Sequence, residues 1–282
     1  MPDTTLRQAF QDDHMTQAPV FFISHGAPTF AIEPGVPGPR LQALGQQLAG
    51  ATAVLVVSPH WQTRDVQVMT TTRPETVHDF GGFAAALYKL HYPANGQPDM
   101  AAETTRLLTQ AGYATTQDER RGLDHGAWVP LMHLLPAANV PVFQVSMPHT
   151  LTTAQALRLG QVLAPLRKQG VVIMASGSMT HNLYEYSPYA TRVEPYAQEF
   201  AAWVRAAVQA NATEQLLAYR ELAPHAQRAH PSEDHFLPLL VAHGARGGDA
   251  AHVIDDSITH GVLSMESYVW GMPAQGGRPN LQ

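Results

Sequence analysis

The sequence predicts an α/β fold whose buried strands deliver histidines to one rim. Three observations carry this. Residues 20–24 (VFFIS), 53–61 (AVLVVSPHW) and 171–177 (VVIMASG) are short apolar runs that lead to His25, His60 and, shortly after, His181. Continuous runs of this kind mark strands buried on both faces, as in parallel sheets. An amphipathic stretch, 152–169, separates strand 142–147 from strand 171–177, so strand, helix and strand imply parallel pairing with a right-handed crossover. Ligands in such sheets bind outside the carboxyl ends of the strands, where these imidazoles stand.

Taken in order, residues 1–18 are polar and non-periodic and read as a loose arm. After the first strand, a proline-rich loop precedes a helix near 41–48. Strand 65–71 follows the one carrying His60. Residues 78–83 (HDFGGF) form an aromatic turn, and 83–90 read as one short helix. Asp99 is placed to cap a helix over 100–111. Residues 122–126 (GLDHG) form a loop that opens an apolar helix, 128–135.

Beyond strand 171–177 the pattern turns helical, over 195–210 and 213–219, while 225–230 is ambiguous. Ser232 reads as the N-cap of a helix with Glu233 and Asp234 in its first turn, which puts His235 one turn inside. Two last strands, 251–258 and 263–270, pair around residues 259–261, and 273–282 read as a loose tail.

Composition narrows the function. Hydrophobic residues make up 45% and charged residues 14%, enough for a large core. A net charge of -6 without a basic stretch argues against nucleic acid. No apolar run reaches membrane-spanning length, and the first residues do not pattern as a signal peptide, so a cytoplasmic protein is expected. With no cysteine, a metal must be held by His, Asp or Glu, and the 15 histidines become informative.

His25, His60 and His181 follow strands, His125 lies between glycines, and His235 sits among carboxylates. Each also has a plainer reading: a loop histidine bonding a carbonyl, or a helix cap. His149 ends a strand too. Histidines 78, 91, 133, 225, 230, 243, 252 and 260 read as surface or satisfied core, and Arg64, Arg120, Arg121 and Arg192 as solvated. Spacing alone leaves a metal site and structural histidines both open. Ser176-Gly177-Ser178 is only loosely like a nucleophile elbow, and phosphate-binding glycines and a paired-carboxylate motif are missing.

Eight stretches in order resemble the class III extradiol ring-cleavage dioxygenases, in particular the bacterial and plant DOPA 4,5-dioxygenase group. They are FISHGAP (22–28), VVSPHW (56–61), HDFGGF (78–83), GLDHGAWVPL (122–131), PVFQVSM (141–147), SGSMTHNL (176–183), PSEDHFLPLL (231–240) and SMESYVWG (264–271). The resemblance implies a single catalytic domain over 19–271, with a central mixed sheet, helices on both faces and a metal at the rim. It implies His25, His60 and His235 as ligands. His181 would be the acid–base residue, or a fourth ligand in a resting zinc form, and His125 would contact substrate or oxygen. Other branches of the class use two histidines and a glutamate; here His235 takes the third place, beside Glu233 and Asp234. The implied reaction uses Fe(II), dioxygen and a small aromatic diol. A zinc hydrolase on the same ligands and a non-catalytic metal-binding protein are the alternatives. A monomer or small homo-oligomer is expected.

Overall fold

A computed structural model of the protein describes residues 17–272. The expected loose segments, 1–18 and 273–282, lie outside it but for Gln17 and Ala18. Ala18 is tied down: its N–H donates to Arg167 O (2.9 Å) and its carbonyl accepts from Arg167 Nε (2.7 Å).

Among the described residues, ten strands form. They are β1 (Val20–Ser24), β2 (Ala53–Thr63), β3 (Val66–Met69), β4 (Thr115–Asp118), β5 (Val142–Pro148), β6 (Val171–Gly177), β7 (Ala251–Asp255), β8 (Ile258–Thr259), β9 (Leu263–Ser264) and β10 (Ser267–Trp270). Eight make one mixed sheet in the order β4-β3-β5-β2-β6-β1-β10-β7. Its centre, β5-β2-β6-β1, is parallel throughout, and every residue of β1 and β6 is buried. The outer pairs β3–β5, β1–β10 and β10–β7 are antiparallel, which makes the sheet mixed.

The longer helices are α1 (Pro37–Gly45), α2 (Pro98–Gln110), α3 (His125–Leu134), α4 (Thr153–Leu163) and α5 (Pro195–Gln209). They are followed by the short α6 (Thr213–Leu217), α7 (Tyr219–Leu222) and α8 (Ala226–Ala229), then by α9 (Leu237–Ala245). They flank the sheet on both faces. Helices α4 and α9 cross at glycines: a Cβ on Gly160 would sit 1.9 Å from Val241 O, and one on Gly244 would sit 2.1 Å from Leu157 O. No helix among the described residues is long and apolar enough to cross a membrane.

Several expectations change. β5 and β6 are joined through α4 and run parallel within one sheet, but β2 lies between them. β2 runs on past His60 to Thr63. The edge strand β4 (TTQD) has no apolar signal to announce it. Residues 83–90 give only a 3-10 turn at Leu87–Lys89. Asp99 falls inside the first turn of α2, where no side chain caps the helix. Residues 152–169 divide into α4 and a 3-10 stretch, Ala164–Gln169, that starts with Pro165 near its N-terminus. The ambiguous 225–230 contains α8, and the last hairpin is broken into β7–β8 and β9–β10. Ser232 caps nothing, because the helix begins only at Leu237. Pro238 falls in the first turn of that helix, where its missing N–H forfeits no intrahelical bond.

Candidate metal centre

His25 follows β1 directly and is buried. Its N–H donates to Gly177 O (2.9 Å), which seats it at the carboxyl end of β6. Its ring Nδ1 meets Ser176 Oγ at 2.9 Å. His60 arrives by a different route. β2 pairs with β6 through Val57↔Ala175, and its pairing with β5 is interrupted between Val57 and Gln62. Residues 58–61 thus leave the ladder and carry His60 toward His25. The Nε2 atoms of His60 and His25 are 3.1 Å apart.

His235 lies in the turn before α9 rather than inside a helix. Its carbonyl accepts from Ser178 N (2.9 Å), fixing the turn to the end of β6. Its Nδ1 donates to Asp234 Oδ2 (2.7 Å), while its Nε2 is buried without a hydrogen-bond partner. Ligand atoms of His25, His60 and His235 all lie within 4.8 Å of one another.

This set fits a divalent metal. A lone buried nitrogen without a partner costs free energy. His235 Nε2 has no partner and those of His25 and His60 have only each other, so one cation would satisfy all three. Ligation needs neutral imidazole, and burial provides it. Burial, then the neighbouring rings, lowers His25 well below the usual imidazole range. Burial and His125 bring His60 down to about 4. Burial lowers His235 to about 3, although the bond to Asp234 opposes this. Asp234 itself stays ionised: burial works against it, but His235 holds it well below the usual carboxylate range. Carboxylates and hydroxyls on Nδ1 leave Nε2 as the donor to metal.

Two further imidazoles face the set. His125 is the first residue of α3, beside His60 with ring centroids 3.9 Å apart. Asp79 Oδ1 accepts from both the backbone N–H and the Nδ1 of His125, each at 2.9 Å. Burial disfavours charge on Asp79, but the bonds from His125 prevail and bring it down to about 2. His181 lies flat on His235, with centroids 3.5 Å apart and planes at 6°. Burial lowers its pKa, with Asp234 opposing. Five imidazoles and two carboxylates therefore share one rim. Ligand atoms of three of the rings converge, and the other two rings stand beside them.

Residues 19–271 match the family described as the catalytic LigB subunit of aromatic ring-opening dioxygenase. The chain belongs to this family. A 4,5-DOPA dioxygenase extradiol of Beta vulgaris is 40% identical over 253 residues, covering 88% of this chain and 94% of that protein. One of the same name from Escherichia coli (strain K12) is 35% identical, covering 89% of this chain and 94% of that protein. The crystal structure of an uncharacterized protein from Escherichia coli K12 superposes with a TM-score of 0.76 at 29% identity, covering 90% of this chain and 99% of that one. This LigB-family chain is an extradiol aromatic ring-opening dioxygenase.

The fold of this LigB-family chain brings residues to the centre that the sequence pattern does not mark. Glu233 accepts from Tyr219 OH (3.0 Å) and stands outside the converging set, and Asp234 serves His235 through its Nδ1. Asp79 reads in the sequence only as part of the turn HDFGGF, one of the resembling stretches, and its bond to His125 comes from the fold. His125 starts a helix instead of lying in a loop, because Asp124 caps α3 by accepting from Ala127 N. The cue was there: Asp before an apolar helical run is a start signal. Arg121 is a correction. It is not solvated but 20% exposed, bonded to Asp124 Oδ2 (2.8 Å) and to His60 O (3.2 Å). His149, at the end of β5, reaches only Gln62 Oε1 (3.3 Å). His230 and His243 are buried and bonded, to Met179 O (2.8 Å) and Thr213 Oγ1 (3.0 Å).

Proposed function

We propose that this dioxygenase uses Fe(II) to open a catechol ring, of DOPA or another substituted catechol, next to its hydroxyls, giving a muconic semialdehyde. The observation that carries the reading is the convergence of ligand atoms from buried His25 and His235 and half-buried His60, with the Nε2 atoms of His25 and His60 at 3.1 Å and that of His235 unpartnered. Its relatives named 4,5-DOPA dioxygenase extradiol support the substrate class. His25, His60 and His235 would hold the ion, with Ser176 Oγ on His25 and Asp234 on His235 orienting the rings. Iron(II) bound there would offer open positions to both diol oxygens and to dioxygen and let electron density pass between them.

The residues of the chain do the rest. His181, neutral at neutral pH, takes a phenolic proton and later returns it to oxygen as the O–O bond breaks. His125, its Nδ1 fixed on Asp79, turns Nε2 toward the substrate or oxygen as a hydrogen-bonding partner. Phe80 meets His125 edge-on at 5.7 Å and walls that side.

The test is turnover. Metal-free protein loaded anaerobically with Fe(II), then given air and a panel of catechols including DOPA, should yield a yellow product carrying both atoms of labelled dioxygen. A panel left unconsumed by the iron-loaded protein, or activity restored by zinc and not by Fe(II), overturns the proposal.

A further inference from the structure

We propose that Asp124 is a positioning residue that fixes the separation of His60 and His125, through a clamp closed by Ser58 and Arg121. The problem it answers lies in β2. Residues 58–61 leave the ladder, so their peptide groups need other partners. The N–H of His60 donates to Ser58 Oγ (3.3 Å), and its carbonyl accepts from Arg121 Nη2 (3.2 Å). Both of these holders are in turn gripped by one carboxylate. Ser58 Oγ donates to Asp124 Oδ1 (2.7 Å), and Arg121 Nη2 donates to Asp124 Oδ2 (2.8 Å).

The same carboxylate governs the other imidazole. Asp124 Oδ1 accepts from Ala127 N (3.2 Å) and so caps α3, whose first residue is His125. Gln144 Nε2, from β5, donates to Oδ2 (2.8 Å) and ties the hub to the sheet. Asp124 is fully buried and reaches neither of the two imidazole rings by a hydrogen bond. Burying a carboxylate is costly unless it is paired and fully bonded, and here four donors meet it. Such ion pairs are best accounted for when they fix one arrangement among several.

Packing gives independent support. A Cβ on Gly126 would lie 2.4 Å from Ser58 Oγ and 2.9 Å from His60 Cδ2. The start of α3 is therefore pressed directly onto the clamp, and only glycine allows the approach. On the far side, the Arg121 guanidinium lies 5.1 Å from the centroid of Trp61, the residue after His60, which holds it in place. One hydrogen-bonded unit, anchored to the sheet through Gln144, thus holds the backbones of both histidines, while Asp79 holds the His125 ring.

The inference rests on reading His60 as a metal ligand and His125 as a group that acts on the substrate. Its test compares Arg121→Met, Ser58→Ala, the double variant and Arg121→Lys in full-length protein. Readouts are Co(II) affinity by chelator competition, the visible absorption of the Co(II) form, and kcat and KM of the Fe(II) form. Arg40→Met serves as control, since Arg40 bonds Asp255 and Ile254 O far from the rim. Each single clamp variant should lower Co(II) affinity or kcat by about 10–100-fold and change the Co(II) spectrum, with KM little altered. The double should be no worse than the worse single, because both act through one carboxylate. Arg121→Lys should recover part of the loss. If Arg121→Met loses thermal stability alone, as Arg40→Met should, or if the losses simply add, the clamp is overturned. Wild-type protein that binds neither Co(II) nor Fe(II) would instead overturn the metal reading beneath it.

Discussion

The two sides of the metal centre are built from the same parts in opposite order. On one side His60 stands beside His125, and the carboxylate, Asp79, grips His125. On the other, His235 lies against His181, and the carboxylate, Asp234, grips His235. Each side thus pairs a candidate ligand with a candidate proton-transfer group, but the carboxylate serves a different member. A carboxylate on Nδ1 fixes the tautomer and aims Nε2. The Asp234 side therefore fixes a candidate metal ligand, and the Asp79 side, in the proposed reading, a ring that would face the substrate. His60 and His181 are the rings without a carboxylate hydrogen bond, and in the proposed reading His181 is the one that changes its protonation state.

The largest effect that would break this comparison is at the rings themselves. His60→Ala should lose both bound metal and activity, since two imidazoles hold a divalent ion poorly. His181→Phe should keep the metal, still bind a catechol and lose turnover by about 10²–10⁴-fold. Metal analysis beside single-turnover kinetics separates the two, and His181→Phe emptied of metal would make His181 a ligand. His125→Ala should resemble His181→Phe, with weaker substrate binding added.

The carboxylates sharpen the contrast. Asp79→Asn should keep the metal and lower kcat by about 10²-fold, the low end for a displaced acid–base group. Asp234→Asn should do the reverse, weakening metal affinity by about 10–100-fold, as is usual for the partner of a ligating histidine. Equal losses of metal in both variants would erase the distinction between the sides.

The smallest effect concerns a histidine outside both sides. His243 is buried against Thr213, and burial, with Arg246 adding, lowers its pKa to about 3. Its folded pKa lies below the unfolded value, so the unfolded chain takes up the proton first and stability falls as the pH drops below about 6.5. At pH 5.5 this amounts to about 1.4 kcal/mol. His243→Leu should remove that share of the acid sensitivity. Urea midpoints at pH 7.5 and 5.5 measure it, and an unchanged difference between the two pH values would contradict it.

The same contrast explains what the sequence could and could not reveal. The strands before His25 and His60, and β6 before His181, were legible because strands buried on both faces leave apolar runs. That several histidines end such runs was legible too. Partnership was not. Asp79 and His125 are 46 residues apart, and no periodicity links a turn to a helix start across that distance. Arg121 looked solvated because its partners, Asp124 and the carbonyl of His60, are brought together only by the fold. A lone nitrogen is no guide either: His230 and His243 each bury an unpartnered Nδ1, yet neither sits in a converging set. Ser232 and the acids after it resemble a cap, but Pro238, a residue suited to a helix's first turn, marks where α9 starts.

The place of β2 between β5 and β6 has a consequence for the order in which the molecule is made. The strand that carries His60 is followed in the chain by both of its neighbours, β5 at 142–148 and β6 at 171–177. His235 emerges later still. Pairings between segments so far apart form slowly, because loop closure must precede the contacts that reward it. A chain still growing on the ribosome therefore holds His25 and His60 without the sheet that aligns them, and without their third partner. If these three histidines hold the metal as proposed, tight uptake must wait until nearly the whole protein is folded, so metal retention during refolding should appear with the last phase of sheet formation rather than the first.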